Sequence, residues 1–143
     1  MAGYSGTTLE KKLGMKEHFR IRMVNAPAHY FDLFTSLPKT IRIIEDVRTK
    51  KDLIHFFPKD SKEFHALLPK LKNEIEPNGM IWVSWPKKSS GIVSDLSEDF
   101  IRNHGIKSGL VDIKVCAVDE TWSALKFVIP VKDRKPVTSL RPE

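Results

Sequence analysis

The 143-residue chain has little cysteine, little glycine and no long apolar run. Its one cysteine, Cys116, excludes an internal disulfide and a cysteine zinc cluster, so the composition gives no sign of an oxidising compartment. No apolar stretch approaches the ~20 residues that span a bilayer, and the polar residues 1–12 lack the apolar segment of a signal peptide. We therefore expect a cytoplasmic protein with no membrane partner.

The sequence also lacks the short motifs of common enzyme chemistry. It contains no G-x-G pair, no Walker A sequence, no G-x-S-x-G elbow and no H-x-x-x-H pair. Cys116 lies in an apolar strand and is expected to be a buried, inert thiol. The residues alone therefore predict no metal site and no cofactor, and they leave open which residues, if any, are catalytic.

What is present is the composition of a globular domain, 41% hydrophobic and 29% charged. Most of the net charge of +6 lies at the two ends of the chain, in residues 1–24 and 132–143. Since the centre is nearly neutral and carries no zinc-finger, RNP-like or helix-turn-helix motif, sequence-specific nucleic-acid binding is not expected. We expect one α/β domain over residues 1–131, with a short N-terminal helix, and a flexible basic tail over residues 132–143.

Apolar periodicity predicts the order strand, helix, strand, strand, helix, strand, helix, strand, strand. Before the final hairpin, strands are expected at residues 19–24, 40–47, 53–57 and 80–85, with a turn at residues 76–79. The fourth strand is an almost uninterrupted apolar run, which is typical of a central strand covered on both faces. This alternation indicates an α/β fold with a mostly parallel, Rossmann-like sheet.

Capping residues predict where the first helices begin and end. Thr7 and Glu10 have the spacing of a capping box, and Gly14 suits the end of the short helix that follows. Apolar residues at helical spacing predict a second helix within residues 30–37.

The two later helices have capping signals of their own. Ser61 is expected to cap the third helix, which Pro69 should kink or restart. Asp95 and Glu98 are expected to start the last helix, and Gly105 to end it.

The register of the final hairpin follows from parity, because one face of each strand is apolar. A three-residue loop at residues 119–121 makes the two apolar faces coincide. Val115 is then expected opposite Leu125, and Ile113 opposite Phe127.

The second half of the chain resembles a known fold family. A helix ending in Glu-Pro-Asn-Gly, a strand, a loop, a helix and a terminal antiparallel hairpin resemble the second half of a class I methyltransferase-type Rossmann fold, over about residues 53–131. The segments SGTTLEKKLG (5–14), WVSWPKK (82–88) and GLVDIKVCAVDETWSALKFV (109–128) resemble a family of small bacterial proteins catalogued as a domain of unknown function. The resemblance implies this fold and a cytoplasmic bacterial setting, and it brings no catalytic residue.

The sequence departs from the methyltransferase pattern at the turn after the first strand. A glycine-rich turn lets backbone amides approach a ligand there. Here the turn is Asn25-Ala26-Pro27, in which Pro27 has no amide proton and adds bulk. Glu45 or Asp46 could stand in for a ribose-binding acid, although such acids are also common on solvated strand ends.

Ligands of open parallel sheets bind outside the carboxyl ends of the strands, so residues that follow different strands should meet there. The candidate ligand-binding residues are Asn25, Lys59, Trp85, Lys87, Lys88, Ser89, Asp119, Glu120 and Trp122. The lysines and hydroxyls suit an anion such as phosphate or carboxylate, and Asp119 and Glu120 would pair with the lysines when no ligand is bound. Alternatively, Lys87 and Lys88 are solvated loop charges, and both tryptophans belong to the core.

These expectations lead to two hypotheses about function. The leading one is a non-enzymatic, degenerate Rossmann-like module that binds an anionic small molecule or a protein partner at the carboxyl edge of its sheet, without a cofactor. The alternative is a divergent S-adenosylmethionine-dependent transferase.

Overall fold

The computed structural model describes residues 6–136. The strands of this region are β1 Arg20–Val24, β2 Arg42–Ile43, β3 Lys51–Phe56, β4 Ile75–Pro86, β5 Val111–Ala117 and β6 Trp122–Val128. The helices are α1 Leu9–Leu13, α2 Ser61–Lys72 and α3 Glu98–Lys107, and short 3-10 turns occur at Tyr30–Leu33, Lys88–Ser90 and Val131–Asp133. No helix within residues 6–136 combines the length and the apolar character needed to cross a bilayer.

The strands of the described chain form one six-stranded sheet in the order β2-β1-β3-β4-β6-β5. Strands β1 to β4 pair with one another in parallel, whereas β6 is antiparallel to both β4 and β5. This confirms the predicted mostly parallel sheet with a C-terminal antiparallel hairpin. Because the chain leaves β1 towards one edge and β3 towards the other, the carboxyl ends of β1 and β3 flank a topological switch point.

Each face of the sheet buries its own apolar cluster. Helices α2 and α3 cover one face, where Phe64 of α2 and Ile101 of α3 pack with Phe127 of β6. The other face is covered by α1 and by the turn Tyr30–Leu33, and there Trp82 donates its indole N–H to the carbonyl of Leu13, at 2.9 Å. Successive side chains of β1 point to opposite faces of the sheet, and Ile21 is buried in the second cluster.

A buried ionic cluster lies where β3 and β4 begin. The ammonium of Lys51 has no exposure to solvent and lies 2.9 Å from Oε1 of Glu74, which also accepts from Arg22 at 2.7 Å. Lys51 additionally donates to the carbonyl of Asp46. Because each charge has an opposite charge or a carbonyl beside it, the cluster offsets much of the cost of burial.

Helix α1 has its N-cap one residue later than predicted. Thr8, not Thr7, is the N-cap of α1, and the carboxylate of Glu10 accepts from the amides of Thr35 and Ser36 instead of closing a capping box. Gly14 ends α1 as predicted, with a φ of 81°.

The N-caps of α2 and α3 also differ from the predicted residues. Asp60, not Ser61, caps α2 by accepting from the amide of Glu63 at 2.8 Å. Ser97, not Asp95, caps α3. Asp95 instead accepts from the amide and hydroxyl of Ser61, so it ties the start of α2 to the loop before α3.

Helix α2 does not restart at Pro69, and Gly105 does not end α3. Helix α2 is continuous through Pro69, which lies on its exposed side, where water can hydrate the carbonyl that loses its partner. Gly105 lies inside α3 and is buried. A Cβ there would come within 2.3 Å of the Phe127 ring, so this glycine lets the helix approach β6 closely. Gly109, with a φ of 87°, follows the end of α3.

The segment between β1 and β3 is less regular than predicted. The expected helix within residues 30–37 is only the 3-10 turn Tyr30–Leu33, and the strand expected at residues 40–47 is reduced to the two residues of β2. The chain turns soon after β2, because the carboxylate of Asp46 accepts from the amides of Arg48 and Thr49.

Two strands contain irregularities that shift their registers. The segment 76–79, predicted as a turn, is a large bulge inside β4. On either side of it, Lys51 pairs with Ile75 and Leu53 pairs with Met80. The segment therefore leaves the ladder without ending the strand. Its four residues lie opposite Asp52 alone.

The register of the hairpin is confirmed in part. Val115 lies opposite Leu125 as predicted, but Phe127 lies opposite Asp112 rather than Ile113. The extra residue places Asp112 beside α3, where its carboxylate accepts from Arg102 at 3.0 Å. Strand β5 is one of the two outer strands of the described sheet, β2 being the other.

Candidate functional site

The carboxyl edge of the sheet gathers segments that are distant in sequence. Strands β1, β3 and β4 end there. The loop at residues 119–121 lies at the same edge, because β6 runs antiparallel to β4 and pairs Trp122 with Pro86. The structure therefore places Lys59, Lys87 and Asp119 at one edge.

The crevice between β1 and β3 is closed by hydrogen bonds. Phe57 donates its amide to the carbonyl of Val24 at 2.9 Å, so pairing continues beyond the ends of the two strands. Oε1 of Glu63 then accepts from the side-chain amide of Asn25 and from the backbone amide of Lys59, both at 2.7 Å. A protein carboxylate thus lies at the switch point and brings these two predicted site residues together.

Glu63 was missed by the sequence reading. It lies in the first turn of α2, where the partial positive charge of the helix N-terminus favours a carboxylate. Asn25 has a φ of 61°, a left-handed conformation that asparagine adopts more readily than most residues. An acid in the first turn of the helix after β3 was the available signal.

Lys87 and Asp119 meet, but not as the predicted ion pair. The ammonium of Lys87 donates to the backbone carbonyl of Asp119 at 2.7 Å. The carboxylate of Asp119 accepts from the amides of Thr121 and Trp122, and its other oxygen lies 3.1 Å from Nε2 of His29. Asp119 therefore stabilises the loop instead of neutralising the lysines.

The remaining predicted site residues are divided between core and solvent. Trp85 is 7% exposed and packs with the α2 and α3 cluster. Trp122 is half-buried, and its ring meets Phe57 edge to face at 5.3 Å between centroids. The side chains that extend into solvent are those of Lys59, Lys88, Ser89 and Glu120.

A cavity of about 340 Å³ opens at this edge between the end of β4 and the start of α3. Trp85, Pro86 and Leu96 give it an apolar wall. Its polar wall consists of Lys88, Ser97, Glu98 and Asp99. The sequence predicted Trp85 and Lys88 as site residues but not the residues of α3. The helix was expected to begin at Asp95, whereas its N-cap is Ser97.

The two acids of this cavity differ in how closely they pair with Arg102. The carboxylate of Glu98 lies 2.7 Å from Nη2 of Arg102, whereas that of Asp99 is 3.5 Å from the same guanidinium and its side chain is 91% exposed. Asp99 is thus the acid more available to a ligand.

A buried Tyr–His–Ser network also resembles catalytic machinery. Nε2 of His55 lies 2.7 Å from the hydroxyl of Ser84, and Nδ1 lies 2.8 Å from that of Tyr30. All three residues are buried, and burial lowers the pKa of His55 to about 3. The network therefore holds the core together and presents no nucleophile to a substrate.

The other reactive groups give no catalytic centre either. Cys116 is half-buried rather than buried as expected, and desolvation raises the pKa of its thiol, which disfavours the reactive thiolate. His65 and His104 bring their rings into contact across α2 and α3, with centroids 3.6 Å apart. Across the described residues, no group of three or more histidine, cysteine or acidic side chains is arranged to hold a metal ion.

Comparisons with known proteins place the fold. No protein-family model matches the chain, and no curated protein matches it in sequence. A glycopeptide N-methyltransferase structure is similar with a TM-score of 0.55, at 10% identity, over 84% of this chain and 87% of the other. A TehB-like SAM-dependent methyltransferase from Corynebacterium glutamicum gives 0.52, at 11% identity, over 90% and 91%.

A third similar structure is a precorrin-6y C5,15-methyltransferase from Geobacter metallireducens, with a TM-score of 0.57, at 6% identity, over 85% of this chain and 86% of the other. At such identities the likeness shows the fold alone. The chain has a methyltransferase-like Rossmann fold.

Proposed function

We propose that the protein is a divergent S-adenosylmethionine-dependent transferase that binds its ligand in the cavity between β4 and α3. The observation that carries this proposal is the likeness to methyltransferase structures over most of the chain. That likeness favours the transferase over a module without enzymatic activity. The three segments that resemble a family of small bacterial proteins make membership of that family part of the proposal.

The crevice between β1 and β3 does not fit this ligand. Pro27 offers no amide to it, and Glu63 already accepts from Asn25 and from the amide of Lys59. The carboxylate of S-adenosylmethionine would meet the carboxylate of Glu63 there. A ligand at the carboxyl edge therefore needs another position.

The cavity between β4 and α3 fits better, because its wall is both apolar and charged. Its volume of about 340 Å³ lies within the usual range for small-molecule sites. Trp85 and Leu96 supply apolar surface for a base, Asp99 can accept from a ribose diol or an ammonium, and Lys88 can bind a carboxylate. When bound, S-adenosylmethionine supplies a methyl group activated by a sulfonium.

Isothermal titration with S-adenosylmethionine and its demethylated product tests the proposal. We expect binding that Asp99→Asn weakens about fivefold or more, since a charge-assisted hydrogen bond is lost. Glu45→Gln is the matched control, because Glu45 is exposed beside β2 and does not line the cavity. Loss with Glu45→Gln but not with Asp99→Asn would move the ligand away from this cavity. No binding of either compound at about 1 mM would refute the transferase.

One observation favours the second candidate, a module that binds an anionic small molecule or a protein partner. The hydrogen bonds of Glu63 close the crevice, as expected of a Rossmann fold that has lost its cofactor pocket. The exposed ammoniums of Lys59 and Lys88 would then attract the anion. A rise in Tm with phosphate or citrate, without one for S-adenosylmethionine, would support this candidate.

A further inference from the structure

A second cavity, of about 280 Å³, lies at the opposite, amino-terminal edge of the parallel strands. Ile75, Pro77 and Ile129 form its apolar surface, at the start of β4 and just beyond β6. The rest of the lining consists of Asn73, four basic side chains and a single acid: Lys50, Lys72, Arg134, Lys135 and Asp133. The lining of this cavity therefore carries an excess of three positive charges.

Backbone carbonyls hold three of these cations in place. Lys50 donates its ammonium to the carbonyl of Asn73, just after α2. Lys72 donates to the carbonyl of Ser108, just after α3, at 3.1 Å, and Nε of Arg134 donates to the carbonyl of Ile129 at 2.9 Å. Each cation is thus oriented by an acceptor that carries no full negative charge.

In the part of the chain that the structure describes, Lys50, Lys72 and Arg134 form no salt bridge with a carboxylate, and the ion pairs there link other side chains. Lys72 is also confined by Gly109, where an added Cβ would lie 2.6 Å from its ammonium. The cavity thus holds positioned cations whose charge is largely uncompensated.

We propose that this cavity binds a phosphorylated small molecule. Lys50, Lys72 and Arg134 would bind the phosphate, and the apolar part of the molecule would lie against Ile75 and Ile129. A doubly charged phosphate matches an excess of three positive charges better than a single carboxylate does, and the guanidinium fork of arginine suits its oxygens. The apolar surface fits an organic phosphate rather than the bare ion.

A small molecule fits better than a nucleic acid. A polymer is bound by cations spread along a groove, usually with aromatic side chains for the bases. Here the cations surround one cavity, and its lining contains no aromatic residue.

Isothermal titration at low salt with adenosine monophosphate, inorganic pyrophosphate and uncharged adenosine tests this inference. We expect adenosine monophosphate to bind more tightly than pyrophosphate, little binding of adenosine, and weaker binding of both phosphates as salt rises. Lys72→Gln and Arg134→Gln should each weaken binding about five- to tenfold. Lys70→Gln is the matched control, since Lys70 is exposed on the same helix and does not line the cavity.

Several results would overturn the inference. An equal loss with Lys70→Gln would mean diffuse charge attraction, and absence of phosphate binding would remove the site. Binding of a short oligonucleotide that is tighter than that of the nucleotide, and sensitive to the same variants, would indicate a nucleic-acid surface. If Lys72→Gln fails to fold, Arg134→Gln decides the test. Asp99→Asn should leave phosphate binding unchanged, so this site and the proposed transferase site can fail separately.

Discussion

Mild acid should destabilise the protein through His55, the buried imidazole between Tyr30 and Ser84. Both ring nitrogens lie within hydrogen-bonding distance of a hydroxyl, and the ring stacks on Phe57 with centroids 4.4 Å apart. Charging this ring would place an unpaired cation in the core. Burial therefore lowers the pKa of His55 from 6.5 to about 3 in the folded protein.

The sign of the effect follows from comparing the two states. Above pH 6.5 the imidazole is neutral in both, and its contribution to stability is complete. Between pH 6.5 and about 3 the unfolded chain binds a proton that the folded protein excludes, so stability falls with pH. At about 1.4 kcal/mol per pH unit, the free energy of unfolding should drop by about 2–3 kcal/mol between pH 6.5 and 4.5.

Urea melts of the wild type and His55→Gln at pH 7 and pH 4.5 measure this drop. Glutamine places a polar atom near the position of Nε2, which contacts Ser84, and does not titrate, so the variant should lose about 2–3 kcal/mol less on acidification. Titration of the other histidines is common to both proteins and cancels. An equal drop in the two proteins would refute the reasoning. So would an NMR titration in which the His55 ring protonates near pH 6.5 in the folded wild type.

Two packing predictions can be measured by chemical denaturation. Gly105→Ala should cost about 1–3 kcal/mol, because its methyl would collide with the Phe127 ring, and adding Phe127→Leu should recover part of the loss. If the losses of the two single variants simply add in the double variant, the Phe127 ring does not contact residue 105. Glu74→Ala should cost about 3–5 kcal/mol, because it leaves Lys51 buried without its carboxylate; a loss below about 1 kcal/mol would mean that Lys51 finds another partner.

The sequence predicts the sheet well because burial imposes apolar patterns over several residues: alternation in β1 and nearly continuous apolar runs in the central strands β3 and β4. Strands β1, β3 and β4 lie near their predicted positions for that reason, and so does the hairpin. Local signals fail where neighbours compete. Asp60 and Ser61 are both good caps, and Gly105 and Gly109 both suit a helix end. The Phe127 ring, which belongs to a distant strand, keeps Gly105 inside α3.

The candidate site shows the same division. The rule for open sheets placed Asn25, Lys59 and Lys87 at one edge without any knowledge of contacts. It could not find that Glu63 closes the crevice, because that depends on how α2 packs. It could not find the acids of α3 in the cavity either, since the helix begins two residues later than Asp95 suggested.

The irregularity in β5 has a consequence for self-association. An outer strand exposes N–H and C=O groups that a strand of another molecule can pair with. The risk is greater here because Val111, Ile113 and Val115 are 37–50% exposed. The bulge at Ile113 interrupts the regular spacing of those groups, and the neighbouring Lys114 adds a charge. Deletion of Ile113 would remove the bulge from β5. We expect the regular outer strand that results to promote aggregation by pairing with strands of other molecules.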